Sequence, residues 1–362
     1  MNTIDMKKLG FTNRFIAESN MFSNLYVGRV LSQYKDKYKV ICQKGEVISE
    51  VSGKLRYEAR IPSDFPTVGD FVMLDRETSN NGNAIIHHIL TRKSKFIRKA
   101  AGTSNEEQIV ASNIDTVFIC MSLNQDFNLR RLERYLSITW DSGAIPIIVL
   151  TKADLCQEIN QRLQEVTTVA IGTDVMGTSS FQENGYQQIL KYIKEGQTIA
   201  FIGSSGVGKS TLINRLISEE LLDTNNIGND DKGKHTTTRR ELILLKNGGM
   251  VIDTPGMREL GLESTNINKT FSDIDTFASL CKFHDCSHTS EPGCAVQQAI
   301  LTGELSKERF SSYQKLKKES RYDGLNAKQI ETLKLDEMFS EVGGMKNARR
   351  FVKEKNKKKR QF

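Results

Sequence analysis

The residues from Gly203 to Ser210, Gly-Ser-Ser-Gly-Val-Gly-Lys-Ser, carry the most specific chemistry in the chain. The apolar run 198–202 ahead of them reads as a short buried strand, and Thr211 onward has the apolar spacing of a helix. A loop between such a strand and a helix start turns successive backbone N–H groups toward a phosphate, with the helix dipole behind them. Gly203, Gly206 and Gly208 permit tight turns and close approach, and Ser204, Ser205 and Val207 complete the cradle. Lys209 can reach β and γ phosphates, and Ser210, with Thr211 beside it, can hold a magnesium ion.

A second group, Thr151-Lys152-Ala153-Asp154, follows an apolar strand over 145–150. The Asp154 carboxylate can accept from guanine N1–H and the exocyclic amine, where adenine offers an unprotonated N1, and the Lys152 stem can cover the base. Read alone, Asp154 could equally cap a helix. Farther on, Thr178-Ser179-Ser180 is either a small-residue loop supporting a guanine edge or an ordinary Ser/Thr loop; Gly172 and Gly177 blur the strand before it. Residues 223–235 form a glycine-rich polar stretch leading into Thr236-Thr237-Thr238. One of these threonines, with Thr237 preferred, can offer its hydroxyl to magnesium and the γ phosphate. A strand over 250–252 then delivers Asp253-Thr254-Pro255-Gly256, with Asp253 for the magnesium shell and the Gly256 N–H for the γ phosphate. Asp253 follows Ser210 by 43 residues, room for a helix, a switch loop and a hairpin.

Cys281, Cys286, His288 and Cys294 have the spacing C-x4-C-x-H-x5-C, which suits a closed tetrahedral zinc site. His284 lies near enough to compete as a ligand. A complete four-ligand set leaves no position for catalytic water, so the metal would organise the fold.

The elements that must position these groups follow from the local pattern. Residues 1–22 are polar and weakly patterned, a flexible or loosely docked arm. From 23 to 92, the segments YVGRVLSQ, YKVICQKG, KLRYEARI, GDFVMLDR and NAIIHHIL predict five short strands, enough for an oligonucleotide-binding (OB-fold) barrel or another small barrel. Tyr34, Tyr38, Tyr57 and Phe71 offer stacking groups there, although most such aromatics belong to a core. The basic stretch 91–109 reads as a linker or an exposed patch. From 115 an α/β rhythm begins, and helices are predicted at 271–280 and 305–318.

GSSGVGKS, GKHTTTR, DTPG and TKAD together resemble the guanine-nucleotide signature of a GTPase, with TKAD before the phosphate loop instead of after it. That rotated order, a β-barrel ahead and the Cys/His cluster behind resemble the small ribosomal subunit biogenesis GTPase family of RsgA type, a family of circularly permuted GTPases, over nearly the whole chain. The resemblance implies an N-terminal OB-fold barrel (23–92), a central permuted P-loop α/β GTPase domain (93–264), a C-terminal mainly helical zinc-binding domain (265–340) and a basic tail (341–362). It implies GTP hydrolysis to GDP with Mg2+, one structural Zn2+ on Cys281, Cys286, His288 and Cys294, and a small-subunit partner bound through 16S rRNA. The general GTPase pattern that TKAD resembles usually opens with asparagine where Thr151 stands. Many GTPases orient the attacking water with a glutamine after the equivalent of Gly256; Met257 stands here, and the family's candidate is His235, with Lys209 and the Gly256 N–H stabilising the transferring charge. An RNA-binding scaffold switched by nucleotide without appreciable turnover is the alternative that Met257 keeps open. A metabolic P-loop kinase is disfavoured by the guanine-selecting TKAD.

The 362 residues allow two or three domains. Of the net charge of +7, the segment 346–360 alone contributes +8, a tail suited to RNA or an acidic membrane surface, or simply solvated. Six cysteines, three of them clustered beside a histidine, suit a reduced compartment better than a disulfide framework. With no secretory segment and no long apolar run, the expectation is a monomeric cytoplasmic protein without a membrane partner.

Overall fold

The computed structural model describes residues 3–79, 82–99, 107–124, 126–179, 187–220, 240–253, 267–321, 329 and 332–333. The basic tail at 341–362 lies outside them. The chain opens with a 3-10 turn, Met6–Leu9, and helix α1 (Asn13–Ser19). The expectation of a loose arm is corrected here: Met6, Leu9 and Phe15 are buried, and the Phe15 ring lies 4.5 Å from that of Phe71. These apolar side chains are spaced three and six residues apart in an otherwise polar segment, enough to seal one end of the core.

The strands β1 (Tyr26–Tyr34), β2 (Lys37–Cys42), β3 (Gly45–Val51), β4 (Phe71–Leu74) and β5 (Ala84–Ile89) close in the order β1-β2-β3-β5-β4-β1. Only the β3–β5 pairing among these is parallel. One predicted strand is corrected. KLRYEARI supplies helix α2 (Gly53–Glu58), because the Ser52 hydroxyl caps it by accepting from the Leu55 N–H at 3.1 Å. The third strand is instead GEVISEV, whose Val47, Ser49 and Val51 alternate into the barrel. Tyr38 and Phe71 are core residues, whereas Tyr57 on α2 is 92% exposed.

The predicted linker forms a hairpin of β6 (Lys95–Lys99) and β7 (Glu107–Ser112), and its basic residues Arg92 and Lys93 are paired with Asp70 and Asp115. Then come β8 (Thr116–Ser122), α3 (Leu129–Ser142), β9 (Ile145–Thr151), α4 (Ile159–Val169), β10 (Asp174–Gly177), α5 (Gln187–Leu190), β11 (Thr198–Ile202), α6 (Lys209–Glu220), β12 (Glu241–Leu244) and β13 (Met250–Asp253). Their sheet order is β10-β9-β8-β11-β13-β12, parallel except for β12. The chain winds outward from β8 through β9 and β10, then returns to the other side of β8 as β11. The crevice at the carboxyl ends of β8 and β11 is therefore the topological switch point, where doubly wound sheets bind ligands. A single pairing, Ser32 with Glu241, joins β1 to β12 and runs the barrel and this sheet into one.

Four helices end the described chain: α7 (Ile267–Thr270), α8 (Ser272–Ser279), α9 (Ala295–Thr302) and α10 (Lys307–Ser320). They close on a small core including Phe271, Ile274, Val296, Phe310 and Leu316. Among the described residues, no helix is long and apolar enough to cross a membrane.

Candidate functional site

The loop from Gly203 to Gly208 leaves β11 and enters α6 at Lys209. Gly203 has φ +140, and a Cβ there would stand 2.2 Å from the Cys120 carbonyl oxygen of β8, so backbone approach requires glycine at the loop's start. The Lys209 ammonium folds back over the loop, donating to the carbonyls of Gly203 at 2.6 Å and of Ser204. Ser205, Ser210 and Thr211 are exposed, while Val207 is buried as the loop's apolar anchor.

TKAD arrives beside this loop from β9. The Thr151 hydroxyl donates to the Val207 carbonyl at 2.5 Å, a bond across 56 residues that ties the two motifs together. Lys152 adopts the left-handed conformation at φ 57 and starts a 3-10 turn, Ala153–Leu155. Asp154 lies inside that turn and caps no helix there; its Oδ1 accepts from the Ser179 hydroxyl at 2.5 Å. The Ala153 N–H donates to the Thr178 carbonyl at 3.2 Å, so the small-residue loop and TKAD brace each other. The strand that Gly172 and Gly177 obscured is present as β10, beside β9.

Asp253, 9% exposed, ends β13, which runs parallel to β11, so it stands at the same end of the sheet as the phosphate loop. The Asp253 carboxylate at the end of β13 and the Ser210 hydroxyl in the first turn of α6 are hard-oxygen donors, the type that magnesium takes. Ser180, His235, Thr237 and Gly256 lie outside the described residues.

Two contacts to this loop had no counterpart in the sequence reading. Arg131, in the first turn of α3, donates to the Ser204 hydroxyl, and Tyr135, one turn on, shares the same hydroxyl. The signal for Arg131 was a pair of arginines one residue after the capping Asn128, at the helix end that disfavours cations.

In the helical region, the ligand atoms of Cys281, Cys286, His288 and Cys294 all lie within 4.8 Å of one another. Cys281 Sγ is 3.5 Å from His288 Nδ1 and 3.9 Å from Cys294 Sγ, and Cys294 Sγ is 3.6 Å from the same nitrogen. A tetrahedron with zinc–ligand bonds of about 2.0–2.3 Å has edges of roughly 3.3–3.8 Å, so the set fits zinc. His284 is not part of this set. Burial, with Lys317 adding to it, lowers the His288 pKa and keeps the imidazole neutral, the form that binds metal. The Gln297 side chain donates to the His288 carbonyl at 2.6 Å, and its backbone N–H approaches Cys294 Sγ at 3.4 Å, fixing ligands from behind.

The RsgA GTPase model matches residues 89–263. A relative from Lactiplantibacillus plantarum, "Small ribosomal subunit biogenesis GTPase RsgA 2", is 49% identical over 96% of this chain and 98% of its own length. The chain belongs to the RsgA GTPase family. A second relative, "Small ribosomal subunit biogenesis GTPase RsgA 1" of Listeria innocua, is 44% identical over 88% of this chain and 90% of that protein. The crystal structure of YjeQ from Thermotoga maritima superimposes with a TM-score of 0.61 at 25% identity, covering 82% of this chain and 98% of that one. YloQ, described as a circularly permuted GTPase, gives 0.59 at 26%, covering 83% and 96%. An ABC transporter model also matches residues 186–356, a span that contains the same phosphate loop. That loop is common to many nucleotide-binding proteins and does not carry TKAD. As an RsgA-family GTPase, the chain hydrolyses GTP to GDP, with magnesium as the family's nucleotide-site ion.

Proposed function

We propose that this GTPase acts in late maturation of the small ribosomal subunit, binding 16S rRNA and using its nucleotide state to control release. The supporting observation is the brace that joins Thr151 to Val207 and Asp154 to Ser179, which holds the Asp154 carboxylate and the loop from Gly203 together at the carboxyl end of the sheet. The names of the relatives supply the particle.

In this reading Asp154 selects guanine, Lys152 covers the base, and the loop from Gly203 to Thr211 wraps the phosphates. Ser210, Asp253 and Thr237 would hold magnesium, which neutralises the β and γ oxygens when bound. Lys209 and the Gly256 N–H stabilise charge on the γ oxygens, and His235 holds the attacking water and takes its proton. Zinc, held by Cys281, Cys286, His288 and Cys294, shapes the helical domain, and that domain and the barrel are the RNA-facing parts. The protein works as a cytoplasmic monomer, without a membrane partner, and is slow until the particle orders its switch.

GTP turnover measured alone, with small subunits and with large subunits, against an ATP control, tests this directly. Guanine-specific stimulation by the small subunit is expected. Binding of small subunits without faster turnover would favour a nucleotide-switched scaffold and remove His235 from its role.

A further inference from the structure

Arg131 stands at the phosphate loop with no part in the chemistry above. It lies in the first turn of α3, capped by Asn128, a turn that holds no acidic residue. A cation there opposes the helix dipole. Its neighbour Arg130 pairs with Glu133 on the same helix at 2.7 Å. Arg131 points the other way. Among the described residues its carboxylate partner is Asp126, at 2.6 Å, ahead of α3, and both side chains are about one-third exposed. The guanidinium also donates to the Ser204 hydroxyl, while Lys209 donates to the Ser204 carbonyl. Two cations therefore converge on one residue of the loop that leads into the start of α6, a helix end suited to an anion. The Lys of such a loop serves the β and γ phosphates, so Arg131 stands at that end; Thr151 meets the loop at Val207, toward the guanine-selecting motif.

We propose that Arg131 is a nucleotide-contacting residue supplied by the chain's own α3, exchanging its bond to Ser204 for the terminal phosphate of a bound nucleoside triphosphate. This rests on the reading of 203–210 as the GTP loop. A planar guanidinium can donate two parallel bonds to phosphate oxygens, which a lysine ammonium cannot reproduce. Asp126 limits its swing, and Tyr135 retains Ser204 after the arginine leaves. The γ phosphate adds its charge at this end of the loop, so Arg131 distinguishes triphosphate from diphosphate. It also faces the group whose oxygens gather charge in hydrolysis, where Met257 offers none of the help a glutamine would.

The test is a set of equilibrium affinities for a fluorescent non-hydrolysable GTP analogue and for fluorescent GDP, using the full chain and Arg131→Ala, Arg131→Lys and Lys209→Ala. Arg131→Ala should weaken the analogue about tenfold or more while changing GDP about twofold or less. Arg131→Lys should recover part of the loss and guards against a folding defect in the alanine variant. Equal loss for both nucleotides, or no loss for either, overturns the proposal. Unchanged nucleotide binding in Lys209→Ala would instead overturn the reading of the loop itself.

Discussion

In the proposed function, base selection falls to Asp154. Ser179 occupies one lone pair of Oδ1, which aims the carboxylate and leaves its remaining lone pairs for guanine N1–H and the exocyclic amine. Asp154→Asn replaces one acceptor by a donor, and each lost bond to a charged group is worth about 1.5–3 kcal/mol. GTP kcat/KM should fall on the order of a hundredfold, while xanthosine triphosphate, which carries a carbonyl in place of the amine, should improve. An unchanged GTP-to-XTP ratio would take Asp154 out of the site. The motif itself was readable because its four residues are contiguous. The Thr151–Val207 bond was not, since 56 residues separate its partners and only the sheet order brings them together. The cysteines give a second prediction at this scale. Burial pushes the Cys42 and Cys120 thiols from 9.0 up to about 11 and about 12, so neither supplies thiolate at neutral pH. With a thiol reagent, Cys156 should react first; a chelator should add Cys281, Cys286 and Cys294; only denaturant should release Cys42 and Cys120. The sign for stability follows. Above pH 9 the native state holds protons the unfolded chain has lost, so this contribution is intact below pH 9 and declines as pH rises toward 11–12. Urea midpoints for Cys120→Ala falling as steeply over that range as wild type would remove Cys120 as a cause.

Among the elements, α3 touches most of the working parts. Arg131 and Tyr135 reach the phosphate loop, and Glu133, Arg134 and Ser137 face the C-terminal helices. Glu133 is fully buried, and Arg309, 4% exposed, joins it to Asp273 and the Thr270 carbonyl with bonds of 2.7–2.9 Å. Removing one partner from such a pair leaves a buried charge short of its counter-ion, a loss of about 3–5 kcal/mol. Arg309→Met should therefore loosen α7–α10 from α3, read as a lower urea midpoint and faster proteolysis of the helical region, with GDP affinity nearly kept. A shift under about 1 kcal/mol would mean that Arg130 alone satisfies Glu133. Helices α3, α6 and α10 were legible because their apolar spacing is long and regular. The exchange of strand for helix around 45–61 was not: Val47, Ser49 and Val51 hide a polar inward position in the alternation, and one serine hydroxyl decides where α2 starts.

For the molecule as a whole, the order of parts was legible from motif order, whereas the joint between barrel and GTPase sheet was not, because it is built from groups far apart in sequence. Arg29 of β1 is that joint. Its guanidinium donates to the Leu9 carbonyl of the opening segment at 2.5 Å, to Gly69 at 3.3 Å before β4, to Asn113 at 3.4 Å after the hairpin and to Thr198 Oγ1 of β11 at 2.7 Å. Phe71 covers its face at 4.9 Å. Burial lowers its pKa to about 10, partly opposed by Asp115 and Asp70, so it remains charged at neutral pH. No described carboxylate bonds to it directly, so the cation is satisfied by the three carbonyls and the Thr198 hydroxyl that it holds together. Arg29→Met leaves those acceptors unpaired at about 1–3 kcal/mol each where no water enters, and the barrel should then melt separately from the GTPase sheet. Arg29→Lys keeps the charge but offers a point donor in place of a planar fork, so calorimetry should again record two transitions, the lower one only partly restored. A lysine variant melting in one step at the wild-type temperature would show that charge alone, and not the fork spanning four segments, makes the two sheets behave as one.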